Sequence, residues 1–246
     1  MISLFFSITL LLGLWSLATF FLGSLLVPSP QATLRSLGSM LFQLSVWENM
    51  ILTLGRGFSA IVFTFILALF TGIAAGLSRK TMALLAPMAA VLQATPPILW
   101  ITLLMVWVGT GNAIPILVVM ASLFPPLFFT IAQSTASLDP RLFVIARTYR
   151  VTRGRMLKEL VLPGIYPYIL AGLSHALGSC WKVTAVAEFL GSSEGIGAQI
   201  YWSYRMLDMP RLFSWALILV GFGLVIESGL IRPLRQAAAR NRGSHA

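Results

Sequence analysis

Residues 1–34, 57–78, 81–138 and 160–181 contain no Asp, Glu, Lys or Arg. A helix needs roughly 20 mainly apolar residues to cross the hydrocarbon of a bilayer. Soluble domains are about one-quarter charged, whereas this chain of 246 residues is 10% charged and 58% hydrophobic. The runs are apolar on every face, while a transmembrane barrel would alternate apolar and polar residues in short segments. The expected fold is all-α: a polytopic membrane protein with about six transmembrane helices.

Span one is expected at about Leu4 to Leu26. It is read as retained, because Met1 to Leu26 lacks a basic n-region and its apolar run is too long for a signal peptide. Val27-Pro28-Ser29-Pro30 ends it, since proline removes a backbone donor and restricts the residue before it. Gln31 to Trp47 reads as an interfacial amphipathic helix, with Leu34, Leu37, Leu41 and Leu44 on one face. Span two covers about Leu54 to Leu77, where Gly72 and Gly76 form a small-xxx-small pair that permits close helix approach. Span three covers about Met82 to Val108 and is interrupted at Thr95-Pro96-Pro97. Gly109-Thr110-Gly111-Asn112 is a tight turn. Span four follows, about Ala113 to Ile131, with Pro125-Pro126 inside. Span five runs about Ile165 to Phe189, and a polar connector, Gly191 to Arg211, leads to span six, about Leu212 to Ile231. The chain divides as one transmembrane domain, 1–246: first span and interfacial helix 1–53, five-helix core 54–231, basic tail 232–246.

Charge orients these spans. The net charge is +10, and it sits in loops between hydrophobic spans, which favours a topological signal over nucleic-acid binding. Six spans place Arg79, Lys80, the cluster Arg141 to Lys158 and the tail on one side, accounting for 12 of the 17 Lys and Arg residues. Arg35, Arg56, Arg205, Arg211, Glu48, Glu194, Asp208 and Glu188 fall on the other. By the positive-inside rule the basic side, with both termini, is cytoplasmic.

The cluster between spans four and five is the densest charge in the chain. Asp139-Pro140 has the pattern of a helix start, Asp as N-cap and Pro at N1. A short helix is expected from Arg141 to Tyr149, then a break near Val151 to Gly154, with Pro163 leading into span five. Apolar residues are interleaved with the charges, Arg147 and Arg150 among them. A short amphipathic helix in a cytoplasmic loop has the form of a knob for a partner's groove.

Catalytic patterns are lacking. The chain contains no G-x-x-x-x-G-K-[ST] phosphate loop and no H-E-x-x-H. Cys180, the lone cysteine, reads as a packed thiol, and one Cys with two His makes no metal cluster. The sharpest internal signal is Lys182, because a charge within a span costs about 2.5–3.5 kcal/mol on insertion scales and usually faces a cavity or a partner. Lys182 is expected in the bundle interior, pairing with Glu227 or attracting an anion, with His175 on about the same helical face. Pro96, Pro97, Glu188 and Glu227 complete the expected pathway residues.

The basic loop resembles the EAA loop of permease subunits of bacterial ATP-binding cassette importers: E-A-A, three residues, G, nine residues, I-x-L-P. Ala146 stands at the third position, and Leu160-Val161-Leu162-Pro163 closes the pattern. Val144 replaces the Glu and Arg150 the Gly. Other segments resemble the nitrate, taurine and aliphatic sulfonate group of these permeases: Val27-Pro28-Ser29-Pro30 (L-P-S-P), Leu54-Gly55-Arg56-Gly57-Phe58, Thr95-Pro96-Pro97 (I-P-P), and Trp107-Val108-Gly109-Thr110-Gly111 (W-F-G-x-G). Ala187-Glu188 with Gly195-Ile196-Gly197 resembles A-E-x-L plus G-L-G. Order and spacing hold over about 200 residues.

The resemblance implies a homodimer in the bacterial inner membrane, two ATP-binding cassette ATPase subunits, and an extracytoplasmic solute-binding protein. ATP and Mg would be used by the ATPase, with no cofactor in this chain and no enzymatic activity of its own. Asp139, Arg141, Ala146, Arg147, Arg150, Leu160, Leu162 and Pro163 would form the coupling loop. Glu194 and Arg205 would meet the binding protein. A small organic or inorganic anion would suit Lys182 and this group. Two other readings stay open: a secondary transporter without an ATPase, for which no internal repeat is found, and a membrane scaffold whose Arg-rich loop binds a soluble partner or anionic lipid.

Overall fold

The computed structural model describes residues 2–236, and in it every regular element is a helix. In order these are α1 (Ile2–Leu22), α2 (Pro30–Leu41), α3 (Leu44–Leu77), α4 (Arg79–Ala94), α5 (Pro97–Val108), α6 (Ala113–Ala136), α7 (Pro140–Thr148), α8 (Arg153–Met156), α9 (Leu162–Gly191), α10 (Ile196–Arg205) and α11 (Met209–Ile226). Two π-helical turns, Leu157–Val161 and Glu227–Ile231, continue α8 into α9 and extend α11. An apolar solvent supplies no partners for backbone N–H and C=O, so the helix, which satisfies them internally, is the element this composition selects.

Four helical stretches are long and apolar enough to cross a membrane: Leu44–Leu77, Ala113–Ala136, Arg153–Gly191 and Met209–Gln236. The pair α4 and α5 makes a fifth if it is taken as one broken span. The expected span one corresponds to α1, a helix of 21 residues without a charged side chain. Arg240 and Arg242 of the expected tail lie outside the described residues.

Several boundaries differ from the sequence reading, each for a physical reason. The expected span three is not one kinked helix. It divides at Thr95–Pro96 into α4 and α5, bent by 97°. Two adjacent prolines remove two donors, and Pro97 begins a new helix at the first turn, where its missing N–H costs nothing. Helix α3 starts ten residues before the expected span two and is 34 residues long, about 50 Å. It thus absorbs Trp47 from the expected interfacial helix, leaving α2 to cover Pro30–Leu41. The expected polar connector holds a ten-residue helix, α10, packed against α9 and α11.

Helices α3, α6 and α9 form the core of the bundle, with Ala60, Ala68, Val119, Leu123, Ile131 and Cys180 buried between them. The Cys180 thiol donates to the Gly57 carbonyl at 3.2 Å, which agrees with a packed role. The closest approach is between α3 and α6. A Cβ on Gly72 would stand 2.9 Å from the Ile131 side chain, and one on Gly76 would stand 2.6 Å from the Ala132 carbonyl oxygen. Between helices in lipid the attraction is mainly packing and hydrogen bonding, so backbone proximity of this kind holds them together.

Replacing Gly76 by Leu is expected to force α3 from α6 and cost about 1–3 kcal/mol, as overpacking does. Gly55→Ala, where the added carbon meets open space, is expected to leave thermal stability in detergent unchanged or slightly raised. Equal melting temperatures for the two variants would refute this account of the α3–α6 contact.

Candidate functional site

The basic loop folds as a short helix followed by a tight return. The Asp139 carboxylate accepts from the Arg141 N–H at 2.8 Å, and Pro140 occupies the first turn of α7. Ala146 is buried and Phe143 packs on the bundle core, fixing one side of the helix. Flanking it, Leu142, Ile145 and Tyr149 form an exposed apolar ridge at i, i+3 and i+7, and Val144 is exposed on the face opposite Ala146. Among the described residues nothing covers this ridge: Tyr149 is 79% exposed and Ile145 53%.

Helix α7 ends in a Schellman motif. The Val151 N–H donates to the Ala146 carbonyl at 2.9 Å, and the Arg150 N–H donates to the Arg147 carbonyl at 2.9 Å. Arg150 has φ of +51°, the left-handed conformation that glycine adopts without steric cost. The glycine of the EAA pattern therefore corresponds to a real backbone demand, and Arg150 meets it at a cost of about 1–2 kcal/mol. The turn falls at Tyr149 to Thr152, two residues before the expected break. Beyond it Leu157, Leu160 and Leu162 pack on the core and Val161 is fully buried, so the loop is seated on the bundle. Pro163 is exposed and lies inside a helix continuous from Arg153 to Gly191, so it does not begin the span.

Among the described residues, the carboxylate that meets this cluster is Glu159, paired with Arg155 at 2.9 Å. Arg141, Arg147, Arg150, Arg153 and Lys158 are exposed and have no ion-pair partner there. The loop presents cations around an apolar ridge, a surface suited to an acidic-rimmed groove.

A second constellation lies at the opposite end of the bundle. Arg56 on α3 and Glu188 on α9, both nearly inaccessible, meet at 2.7 Å. The Glu188 carboxylate also accepts from the Thr53 hydroxyl at 2.8 Å and the Gly197 N–H at 3.1 Å. Arg56 donates further to the Glu194 carbonyl at 2.8 Å and to the Asn112 side chain. The Gly195 N–H donates to Asn49 Oδ1 at 2.6 Å, and the Ile196 N–H donates to the Thr53 hydroxyl at 2.9 Å. The Gly111 N–H joins the same knot through the Gly191 carbonyl at 3.1 Å. This clasp ties α3, α9, the start of α10 and the α5–α6 turn. Glu188, expected along the pathway, is sealed inside the chain instead. Asn49, Thr53 and Asn112 were not singled out from the sequence.

Lys182 is not in the interior of this chain. It is exposed on α9, with its Nζ 5.5 Å from the Trp181 ring centre, and Glu227 pairs with Arg235 at 3.2 Å. Eight residues along the same helical segment, Arg235 reaches Glu227 more readily than a lysine on another helix does. Tyr168, His175 and Lys182 repeat every seven residues and form one exposed stripe along α9. Pro96 and Pro97 are exposed at the α4–α5 bend. Glu194 and Arg205 are exposed; the Glu194 carbonyl belongs to the clasp, and Arg205 ends α10, which starts from it.

The structure is thus a helical bundle broken at one span, with a short basic helix seated at one end. Over residues 68–230 the sequence matches the family described as binding-protein-dependent transport system inner membrane component, and the chain belongs to that family. It is similar to the taurine transport system permease protein TauC of Escherichia coli, 26% identical over 88% of this chain and 81% of that protein. The putative aliphatic sulfonates transport permease protein SsuC of Bacillus subtilis is 28% identical over 73% of this chain and 64% of its own length. The bicarbonate transport system permease protein CmpB of Synechococcus elongatus is 26% identical over 66% and 59%. The fold is shared with a chain of the inward-facing MetNI methionine ABC transporter, at a TM-score of 0.64, 15% identity, and coverage of 80% of this chain and 94% of that one. The protein is thus a permease of the ATP-binding cassette importer class.

Removing one partner of the clasp leaves a buried charge uncompensated, which typically costs about 3–5 kcal/mol. Glu188→Ala is expected to lower the yield of folded protein sharply, and Arg56→Met combined with Glu188→Leu to recover much of it. If Glu188→Ala leaves the melting temperature intact, the clasp has no structural role.

Proposed function

We propose that this chain is the membrane-spanning subunit of an ATP-driven solute importer, working as a homodimer with two separate ATPase subunits and an extracytoplasmic binding protein. The observation that carries the reading is α7: a short helix, anchored by Ala146 and Phe143, whose apolar ridge is exposed and whose cations have no ion-pair partner among the described residues. An exposed apolar ridge with cations around it is the mark of an interaction surface. A groove on the ATPase takes α7 as a knob, and closure of the ATPase pair on ATP moves α7. The loop is packed through Leu157, Leu160 and Leu162 onto the α3–α6–α9 core, so that movement passes to the spans. Both termini and α7 face the cytoplasm, and six spans cross the inner membrane.

The pathway runs along the Tyr168–His175–Lys182 face of α9, where two copies of the chain meet. A lysine on a lipid-exposed face is costly, and an aqueous pathway between protomers removes that cost. The bend at Pro96 and Pro97 opens on the same water, because non-helical backbone at membrane depth is tolerated beside a cavity. A cation contributed by each copy suits a small anion. Relatives named for taurine, aliphatic sulfonates and bicarbonate, compounds that carry an anionic group, support that class. Glu194 and Arg205, at the outer end, receive the binding protein.

Arg147→Glu combined with Ile145→Asp alters only exposed positions. It is expected to abolish co-purification of the ATPase while the permease stays in the membrane as a dimer. An unchanged ATPase yield would exclude α7 as the coupling element. Lys182→Ala is expected to reduce uptake about tenfold, equivalent to roughly 1.4 kcal/mol, with ATPase association retained. Full uptake in this variant would remove Lys182 from the pathway.

A further inference from the structure

We infer that the cytoplasmic end of the bundle carries a seat for one anionic phospholipid of the inner leaflet. A groove of about 950 Å³ opens between the last turns of α3, the end of α6, α7 and α8. Phe70, Leu77, Phe143 and Met156 supply apolar wall, and Arg147 and Arg153 line it from the basic loop. Phe70 and Leu77 are exposed on a membrane-spanning helix. Both arginines lack an ion-pair partner among the described residues.

These features specify the occupant. An apolar wall continuous with a span takes acyl chain. Two guanidiniums take a phosphate, with bidentate hydrogen bonds available to each. Basic pockets between spans on the cytoplasmic side are suited to anionic head groups. A soluble anion would leave the wall of Phe70, Leu77 and Met156 unused, and a zwitterionic lipid would leave the arginines under-neutralised. The groove is also distinct from the stripe on α9. Leu162 lines the groove, and Lys182, twenty residues on, is turned about 200° around the helix from it. A lipid held here braces α7 against α3 across a groove open among the described residues, so it sets how stiffly the loop is joined to the bundle.

The seat rests on the cytoplasmic placement of the α7 loop, and the test separates the two. The intact permease is reconstituted in nanodiscs of phosphatidylcholine with or without phosphatidylglycerol, then released and weighed by native mass spectrometry. The expected result is one retained phosphatidylglycerol per chain and no comparable retention of phosphatidylcholine. Arg153→Gln is expected to weaken retention about fivefold. Ala74→Trp, which fills the groove from an exposed position on α3, is expected to abolish it while the melting temperature in phosphatidylcholine is unchanged. Equal retention of the two lipids, or undiminished phosphatidylglycerol in both variants, overturns the seat. Side-specific labelling of Arg153→Cys in membrane vesicles reports orientation separately. Labelling from the outer side overturns both the orientation and the seat, whereas inner labelling with unselective retention overturns the seat alone.

Discussion

Hydrocarbon donates and accepts no hydrogen bonds, and the architecture follows from that one deficiency. Among the described residues the spans are helical, with Pro125, Pro126 and Pro167 carried inside them, and the sharp break at Pro96 lies at an exposed bend and not in the packed core. The same deficiency explains the clasp. Arg56 and Glu188 are tolerable inside the bundle because each finds the other and because Thr53, Gly197, Asn112 and the Glu194 carbonyl take up most of their remaining valences. With α3, α9 and α10 locked at one end, the basic loop between α6 and α9 hangs from the opposite end of the bundle.

This polarity gives the molecule its mechanical character. The core between α3, α6 and α9 is dense, and Gly72 and Gly76 let two backbones touch. A displacement of α7 therefore enters a stiff body through Leu157, Leu160 and Leu162. The π turn at Leu157–Val161 lies where the loop helix becomes the long span, a distortion often found where a helix serves a functional end. The exposed stripe of α9 lies on that same span, so one continuous helical segment, Arg153–Gly191, links the basic loop to the proposed pathway.

Much of the site could be read from residue types alone. Asp139-Pro140 announced the start of α7, and the spacing from Ala146 to Pro163 announced the loop. Arg150 at a glycine position was legible as a departure, and the left-handed turn supplies its meaning. The partners of the internal charges were less legible. Arg56 and Glu188 had both been assigned to the outer side, which was the available hint of their pairing. They are separated by 132 residues, and no local pattern brings them together. The nearer-looking match of Lys182 with Glu227 failed because Arg235 stands on the same helical segment as Glu227.

Length, hydropathy and the placement of charge determined by themselves that this chain is helical, spans a membrane several times and carries its basic loop on one side. Those are properties of transfer between solvents, which depend on composition along the chain and hardly on its partners. The sharp division at Pro96, the continuity of α8 with α9, the burial of Glu188 and the exposure of Lys182 were settled only when the helices packed. Each depends on which face of one helix meets which face of another, and that is fixed by shape and by pairing between residues far apart in the chain.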